Sequence, residues 1–435
     1  MAKKRVLILG AGLSGLSAAW HLQRKGIDAV IFEKEPEVGG LCRSKNINGF
    51  TFDYDGHLLH FRHSHIFDMV RGLLGNNLVE HRRNAWIYSH NIFTRYPFQG
   101  NLYGLPAAVA KECLLGFIEA YENGRYAKKN PNFLDWITQT FGKGIARHFM
   151  VPYNTKFWTL PPQKLTCEWL DGFIPVPSLS QLVEGTVKEN KKAYGYNAKF
   201  WYPEKGGINQ LPMALARQIK HIHINSPVAE INILKKEIKT LKGHKEKFDY
   251  LISTIPLPEL PSIIKDMPAG ISEKCARLKW NSIFNLNLGV DRNDVYDRHW
   301  IYFPEKDFSF FRVGFFHNFS QDLVPAERSS LYAEVSYSHD SSVDKKNLSL
   351  RIKEDLKKTG ILSPAARIYA QDVNDIHYGY PVYDSNYKIC REKILRYLLQ
   401  NNILSCGRYG SWRYMTMEDA LLDGGRMVNA LTNLE

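Results

Sequence analysis

The chain has 435 residues, 44% hydrophobic and 23% charged, an ordinary globular composition whose length requires two or three domains. The net charge of +13 attracts anions, but the lysines and arginines are dispersed, which excludes a basic nucleic-acid-binding arm and favours a phosphate-bearing small substrate. No 18-residue apolar run is present, so no membrane span is expected.

The start, Met1-Ala-Lys-Lys-Arg5, leads straight into a core strand and leaves no room for a signal peptide, so a cytoplasmic location is expected. The run Arg5 to Gly10 reads as a buried strand. It turns into Gly10-x-Gly12-x-x-Gly15 and then a helical pattern from Leu16 to Lys25, which Gly26 ends. A second strand, Ala29 to Phe32, closes on Glu33. Gly10 allows the tight turn, Gly12 lets the backbone approach a pyrophosphate, and Gly15 lets helix and strand pack closely. The helix N-terminus offers N–H groups to phosphates, and Glu33 can hold a ribose diol. This is a dinucleotide-binding unit, and the acidic end favours FAD or NAD over NADP. A second glycine pair, Gly39-Gly40-Leu41, resembles the flavoprotein form of the motif in amine oxidases and their relatives, which implies FAD.

Residues 62–201 read as mainly helical with aromatic-rich loops. A helix then begins at Asn209, short strands follow at 221–224, 228–233 and 237–241, and Tyr250 to Ile255 is a buried strand. Further strands are expected at 283–290, 300–303, 308–316 and 331–338. The run Ile403 to Gly407 is a strand ending in glycine, and a terminal helix spans about 419–432. The fold class is α/β. A Rossmann-like FAD-binding domain is assembled discontinuously from 1–61, 202–270 and 396–435. A mainly helical cap or substrate domain covers 62–201, and an antiparallel β-sheet substrate domain covers 271–395. The six cysteines are widely spaced without a CxxC pair, as free thiols are.

Several strings lie outside the nucleotide motif: Asp53-Tyr-Asp55-Gly56-His57, Tyr96-Pro-Phe98-Gln99, Pro152-Tyr-Asn154-Thr-Lys-Phe-Trp158 and the segment around Asn197. Later come Trp300-Ile-Tyr302, Phe311-Arg312, Gly379-Tyr380-Pro381 and Gly407-Arg408-Tyr-Gly-Ser-Trp412-Arg-Tyr414. Tyr96 and Phe98 offer flat faces for a base, and Gln99 offers a donor and an acceptor to its edge, unless the Tyr-Pro-Phe turn anchors a loop in the core. Arg312 could clamp a diphosphate through its planar fork. Tyr302, Tyr380 and Tyr414 are either hydroxyl donors to the same phosphates or buried rings with satisfied hydroxyls. His57, His60, His63 and His65 cluster in sequence, but no cysteine or carboxylate joins them at ligand spacing, so no metal is expected.

Together, and in this order over nearly the whole chain, these strings resemble the UDP-galactopyranose mutase family, in particular its eukaryotic-type branch. The resemblance implies that Tyr302, Arg312, Tyr380 and Tyr414 hold a UDP diphosphate, that Asn154 and Asn197 contact the sugar, and that Trp158 walls the pocket. It places His57 beside the isoalloxazine and Arg408 against the flavin N1/O2 edge, with Val228, Gly407 and Met417 also lining the cofactor. The implied reaction interconverts pyranose and furanose forms of a UDP-sugar through a reduced-FAD N5–sugar adduct, with no net redox change and with NAD(P)H or another reductant priming the flavin. Its implied setting is cell-surface polysaccharide synthesis. Three positions depart from the family pattern. Asp55 stands where a glycine is usual, Phe173 where an arginine reaches the diphosphate, and Phe319 where a substrate-binding tyrosine is usual. The alternatives are an FAD-dependent oxidase or desaturase of the amine oxidase superfamily, and a nucleotide-sugar binder that keeps FAD for structure.

Overall fold

The run Val6–Leu9 is buried along its whole length because both of its faces are covered, Leu7 and Leu9 in one core cluster and Val6 and Ile8 in another, with parallel strands on both edges. In the computed structural model, which describes residues 4–124, 131–170, 172–190, 195, 198–291 and 297–433, it is the middle of a five-stranded sheet. The order is Ile403–Ser405, Tyr250–Ser253, Val6–Leu9, Ala29–Phe32, Ile222–His223, and every pairing is parallel. Three distant parts of the chain therefore build one sheet. The helix Leu13–Arg24 starts three residues earlier than the glycine spacing suggests. It packs on the terminal helix Met417–Asn433, where Ser17 Oγ donates to the Leu421 carbonyl at 2.6 Å. Three short strands, Val228–Asn232, Glu237–Thr240 and Lys245–Lys247, form a small antiparallel sheet.

A second, seven-stranded sheet carries the rest of the architecture. Its order is Ile368–Val382, Lys279–Asp291, Arg328–Ser338, Arg312–Gly314, Trp300–Tyr302, Ala85–Ser89, Ile92–Arg95. The last two strands lie within 62–201, whose other elements are mostly helices. They form a hairpin whose two turn residues, His90 and Asn91, both have positive φ (53° and 59°), as a type I′ turn requires. Ala85–Ser89 then pairs in parallel with Trp300–Tyr302, so this sheet is mixed rather than wholly antiparallel. The expected strand at 308–316 is only three residues long, Arg312–Gly314, because aromatic side chains on both flanks turn into the core. Among helices Ala107–Glu122, Phe133–Ile145, Val151–Trp158 and Leu179–Val187, the first packs on the second and on the fourth. Among the described residues, no helix is long and apolar enough to cross a membrane.

Candidate functional site

The cradle for a dinucleotide is built from close backbone approaches. Gly10 has φ +99°, and a Cβ on Gly15 would lie 2.0 Å from the Gly10 oxygen. Helix Leu13–Arg24 begins at Gly12, which supplies no side-chain cap, so first-turn N–H groups are left for an anion. Gly12 bridges to Gly39, and a Cβ on Gly40 would sit 3.3 Å from the Gly12 Cα, so the second glycine pair walls the same cradle. Buried Glu33 accepts from the Ala11 N–H at 2.6 Å and the Glu35 N–H at 2.9 Å, which fixes the carboxylate and leaves lone pairs for a ribose diol. The Gly407 N–H donates to Asp423 at 2.8 Å. These groups fit the pyrophosphate and ribose of FAD. Leu41 packs near Phe311, and Val228 packs on the main core cluster.

One cavity brings together His57, Tyr96, Gln99, Asn154, Tyr302, Arg312, Tyr380, Arg408, Tyr414 and Met417. His57 is half-buried, and desolvation holds its imidazole below the usual histidine value, so it is neutral at pH 7. Its Nδ1 lies 3.0 Å from the Asp55 carbonyl, which can only accept, so Nδ1 carries the proton and Nε2 is the bare nitrogen. Arg408 is held by the Met415 carbonyl (Nη2 at 2.6 Å) and lies over the Tyr380 ring at 5.0 Å. The Tyr380 and Tyr414 rings stack at 5.5 Å. Burial pushes both hydroxyls above the ordinary tyrosine value, so both remain donors at neutral pH. A register shift opposite Asn281 re-aims Tyr380, whose N–H donates to Asn281 Oδ1 at 2.8 Å, while Asn281 Nδ2 donates to the Phe157 carbonyl at 2.6 Å.

Several expected residues sit differently from the sequence reading. Phe98 does not reach the cavity. The short turn Phe98–Gly100 points its ring into the core, parallel to Phe149 at 5.0 Å. Trp158, at the end of Val151–Trp158, packs behind the wall against Trp169. Gln99 Nε2 donates to the Pro175 carbonyl at 2.7 Å, while its buried Oε1 has no partner. Asn154 Nδ2 donates to the Met150 carbonyl at 2.8 Å one turn earlier. Asn197 lies outside the described residues. Arg312 does not offer an open fork. Its Nε and Nη2 both bond Glu334, its directly opposed neighbour on Arg328–Ser338, which leaves Nη1 for a ligand. Phe173 lies on the wall edge-on to Tyr414 at 4.7 Å, whereas Phe319 is buried beside Tyr202, off the wall.

The sequence reading missed four residues that hold this site: Tyr153, Lys156, Asn281 and Glu334. Tyr153 lines the cavity edge-on to Tyr302 at 5.5 Å. Lys156, on the same helix, donates to the carbonyls of Phe303 (2.9 Å), Phe310 (3.0 Å) and Glu305. An acid inside the apolar run Leu331–Val335 was the available signal for Glu334.

The family model for flavin containing amine oxidoreductases matches residues 13–432. A 4,4'-diapolycopene oxygenase from Methylomonas is 37% identical over 326 residues, covering 66% of this chain and 63% of that protein. An L-amino-acid oxidase from Sistrurus catenatus edwardsii is 27% identical over 236 residues, covering 52% of this chain and 45% of that protein. The chain thus spans about half to two thirds of the length of these curated relatives. Among solved structures, a reduced UDP-galactopyranose mutase superposes with a TM-score of 0.93 at 27% identity, covering 100% of this chain and 95% of that one. A putrescine oxidase superposes with a TM-score of 0.68 at 16% identity, covering 99% of each chain, a likeness of fold alone. The chain belongs to the flavin containing amine oxidoreductase family, as an FAD-binding member whose structure is similar to that of UDP-galactopyranose mutase.

Proposed function

We propose that this protein is a flavin-dependent isomerase that interconverts the pyranose and furanose forms of a UDP-sugar, galactose or a close relative. The observation that carries this reading is the single cavity in which Gln99 Oε1, the Tyr302–Arg312–Tyr380–Tyr414 group and Arg408 converge. The superposition on the reduced mutase supports it. Reduced FAD supplies the nucleophile for the anomeric carbon when bound. The chain's own groups bind and orient. Gln99 Oε1 accepts from a uracil N–H, and Tyr96 lies against the base. The Tyr380 and Tyr414 hydroxyls and Arg312 Nη1 donate to the diphosphate. Neutral His57 and cationic Arg408 flank the flavin, where a cation stabilises anionic reduced flavin. Segments 1–61, 202–270 and 396–435 serve the cofactor, and 62–201 with 271–395 serve the substrate. NAD(P)H or another reductant primes the enzyme, in the cytoplasm.

The second reading is an FAD-dependent oxidase or desaturase. The curated relatives favour it, as does Phe173, an apolar ring where the mutase resemblance calls for a diphosphate-binding cation. One experiment separates the two. Dithionite-reduced protein is incubated without oxygen with UDP-galactofuranose, and the products are resolved by chromatography. Ring-isomerised UDP-sugar is the expected result. No isomerisation, together with oxygen uptake on an amine, amino acid or polyene, would establish the second reading instead.

A further inference from the structure

The helix Val151–Trp158 carries one charged side chain, Lys156, set between two rings that line the cavity, Tyr153 and Phe157. Lys156 does not line the cavity itself. Its Nζ donates to the carbonyls of Phe303 at 2.9 Å, Phe310 at 3.0 Å and Glu305. An ammonium carries three N–H donors, so each carbonyl receives one. All three carbonyls belong to residues 303–311, which join Trp300–Tyr302 to Arg312–Gly314.

Those two strands set a pair of cavity groups. Tyr302 and Arg312 are directly opposed across them, and both line the cavity. The loop closes on the pair through the Phe303 N–H, which donates to the Phe311 carbonyl at 2.9 Å. The helix also meets this hairpin through its rings, Tyr153 edge-on to Tyr302 at 5.5 Å and Phe157 edge-on to Phe311 at 5.2 Å. Ring contacts tolerate small slides, whereas three hydrogen bonds converging on one nitrogen define a position, since each weakens off its axis.

Resting on the anionic-substrate reading above, we propose that Lys156 is a positioning residue. Its ammonium fills a cage of three carbonyls and thereby sets where Tyr302 and Arg312 stand relative to Tyr153 and Asn154, the arrangement that grips a diphosphate. Lys156 acts through the hairpin and not by contact with the substrate. Without the ammonium the three carbonyls lose their donor. Water reaches them only if the loop lifts, since Phe303, Phe308 and Phe310 anchor it in the core. The cage has the chemistry of a monovalent-cation site, with carbonyl dipoles aimed at one positive charge. A free ammonium ion matches it in charge and in donors.

The test uses the intact flavoprotein and UDP as the probe, by calorimetry at about pH 6, below the value of about 7 to which burial depresses the Lys156 ammonium. Lys156→Ala is expected to keep its FAD, whose cradle is built from other segments, and to lose about tenfold or more in UDP affinity. Ammonium chloride is expected to restore that affinity. Tetramethylammonium chloride at equal ionic strength, which has no N–H, is expected not to. Unchanged UDP affinity in Lys156→Ala, or a loss that both salts or neither relieves, would overturn the proposal. Should the alanine variant not fold, Lys156→Arg takes its place. A planar fork cannot present three N–H groups to one point, so the same loss is expected, and full affinity would overturn the proposal. Hydrogen exchange gives a second readout that needs no ligand. The amides of 303–311 are expected to exchange faster in the variant than in the wild type, and in Lys156→Ala ammonium should slow them again. Unaltered exchange there would also overturn the proposal. Should UDP bind neither protein while the exchange behaves as expected, the anchoring of the hairpin stands and the UDP-sugar reading fails.

Discussion

Truncating Arg312 would strand a buried acid, because Glu334 is fully enclosed and the guanidinium satisfies both of its oxygens. Breaking such a pair from one side costs about 3–5 kcal/mol. Arg312→Ala is therefore expected to lower the melting temperature before any ligand is added. Gln99→Ala tests the ligand side more cleanly. It removes one hydrogen bond to the Pro175 carbonyl, about 1 kcal/mol of stability. Its main effect is expected in a rise of roughly tenfold in KM for the UDP-sugar with kcat nearly unchanged, as for loss of uniform binding. Unchanged UDP affinity in that variant would remove uracil from this corner. At this scale the sequence identified which residues reach the cavity better than it identified what they do there. Tyr96, Gln99, Tyr302 and Arg312 all line it. That Arg312 is already paired and that Gln99 already donates to a carbonyl depends on neighbours distant in sequence, Glu334 and Pro175, which no local spacing reveals.

The helix Val151–Trp158 is tied to the loop between Trp300–Tyr302 and Arg312–Gly314 by one side chain, Lys156, which donates to three carbonyls. Burial depresses its ammonium to about 7. The unfolded value is about 10.4, so the folded state favours the neutral amine. A depressed lysine contributes stability above the unfolded value and loses it as pH falls through the folded one. The stability of the wild type relative to Lys156→Met is therefore expected to decline from about pH 10 to about pH 7 and then level off. Thermal denaturation across that range measures it, and a difference independent of pH would refute the burial argument. Elements differed in legibility for a physical reason. The strand–turn–helix at Val6 to Arg24 declares itself through local glycines and an apolar run. The hairpin at Ala85 to Arg95 turns on His90-Asn91, which lacks the glycine that usually marks a type I′ turn, so nothing local in the sequence marks it.

For the molecule as a whole, the cradle predicts a yellow protein that releases FAD on denaturation. Glu33→Ala is expected to lose much of its flavin on gel filtration, because it removes the ribose-facing carboxylate and leaves the Ala11 and Glu35 N–H groups without their acceptor. Full flavin retention in that variant would place the ribose elsewhere. The mixed sheet has a consequence for how the chain is made. Ala85–Ser89 leaves the ribosome about two hundred residues before Trp300–Tyr302, the strand it lies beside in the finished sheet. At roughly 5–20 residues per second, that edge waits for tens of seconds at the slow end of the range. Throughout that wait it is a short apolar hairpin with an open row of backbone donors and acceptors, which is a template for pairing with another nascent chain. Synthesis is therefore the stage at which this protein is most exposed to aggregation. Slowing translation after residue 95 should lower the yield of soluble flavoprotein, while slowing it after residue 302 should not.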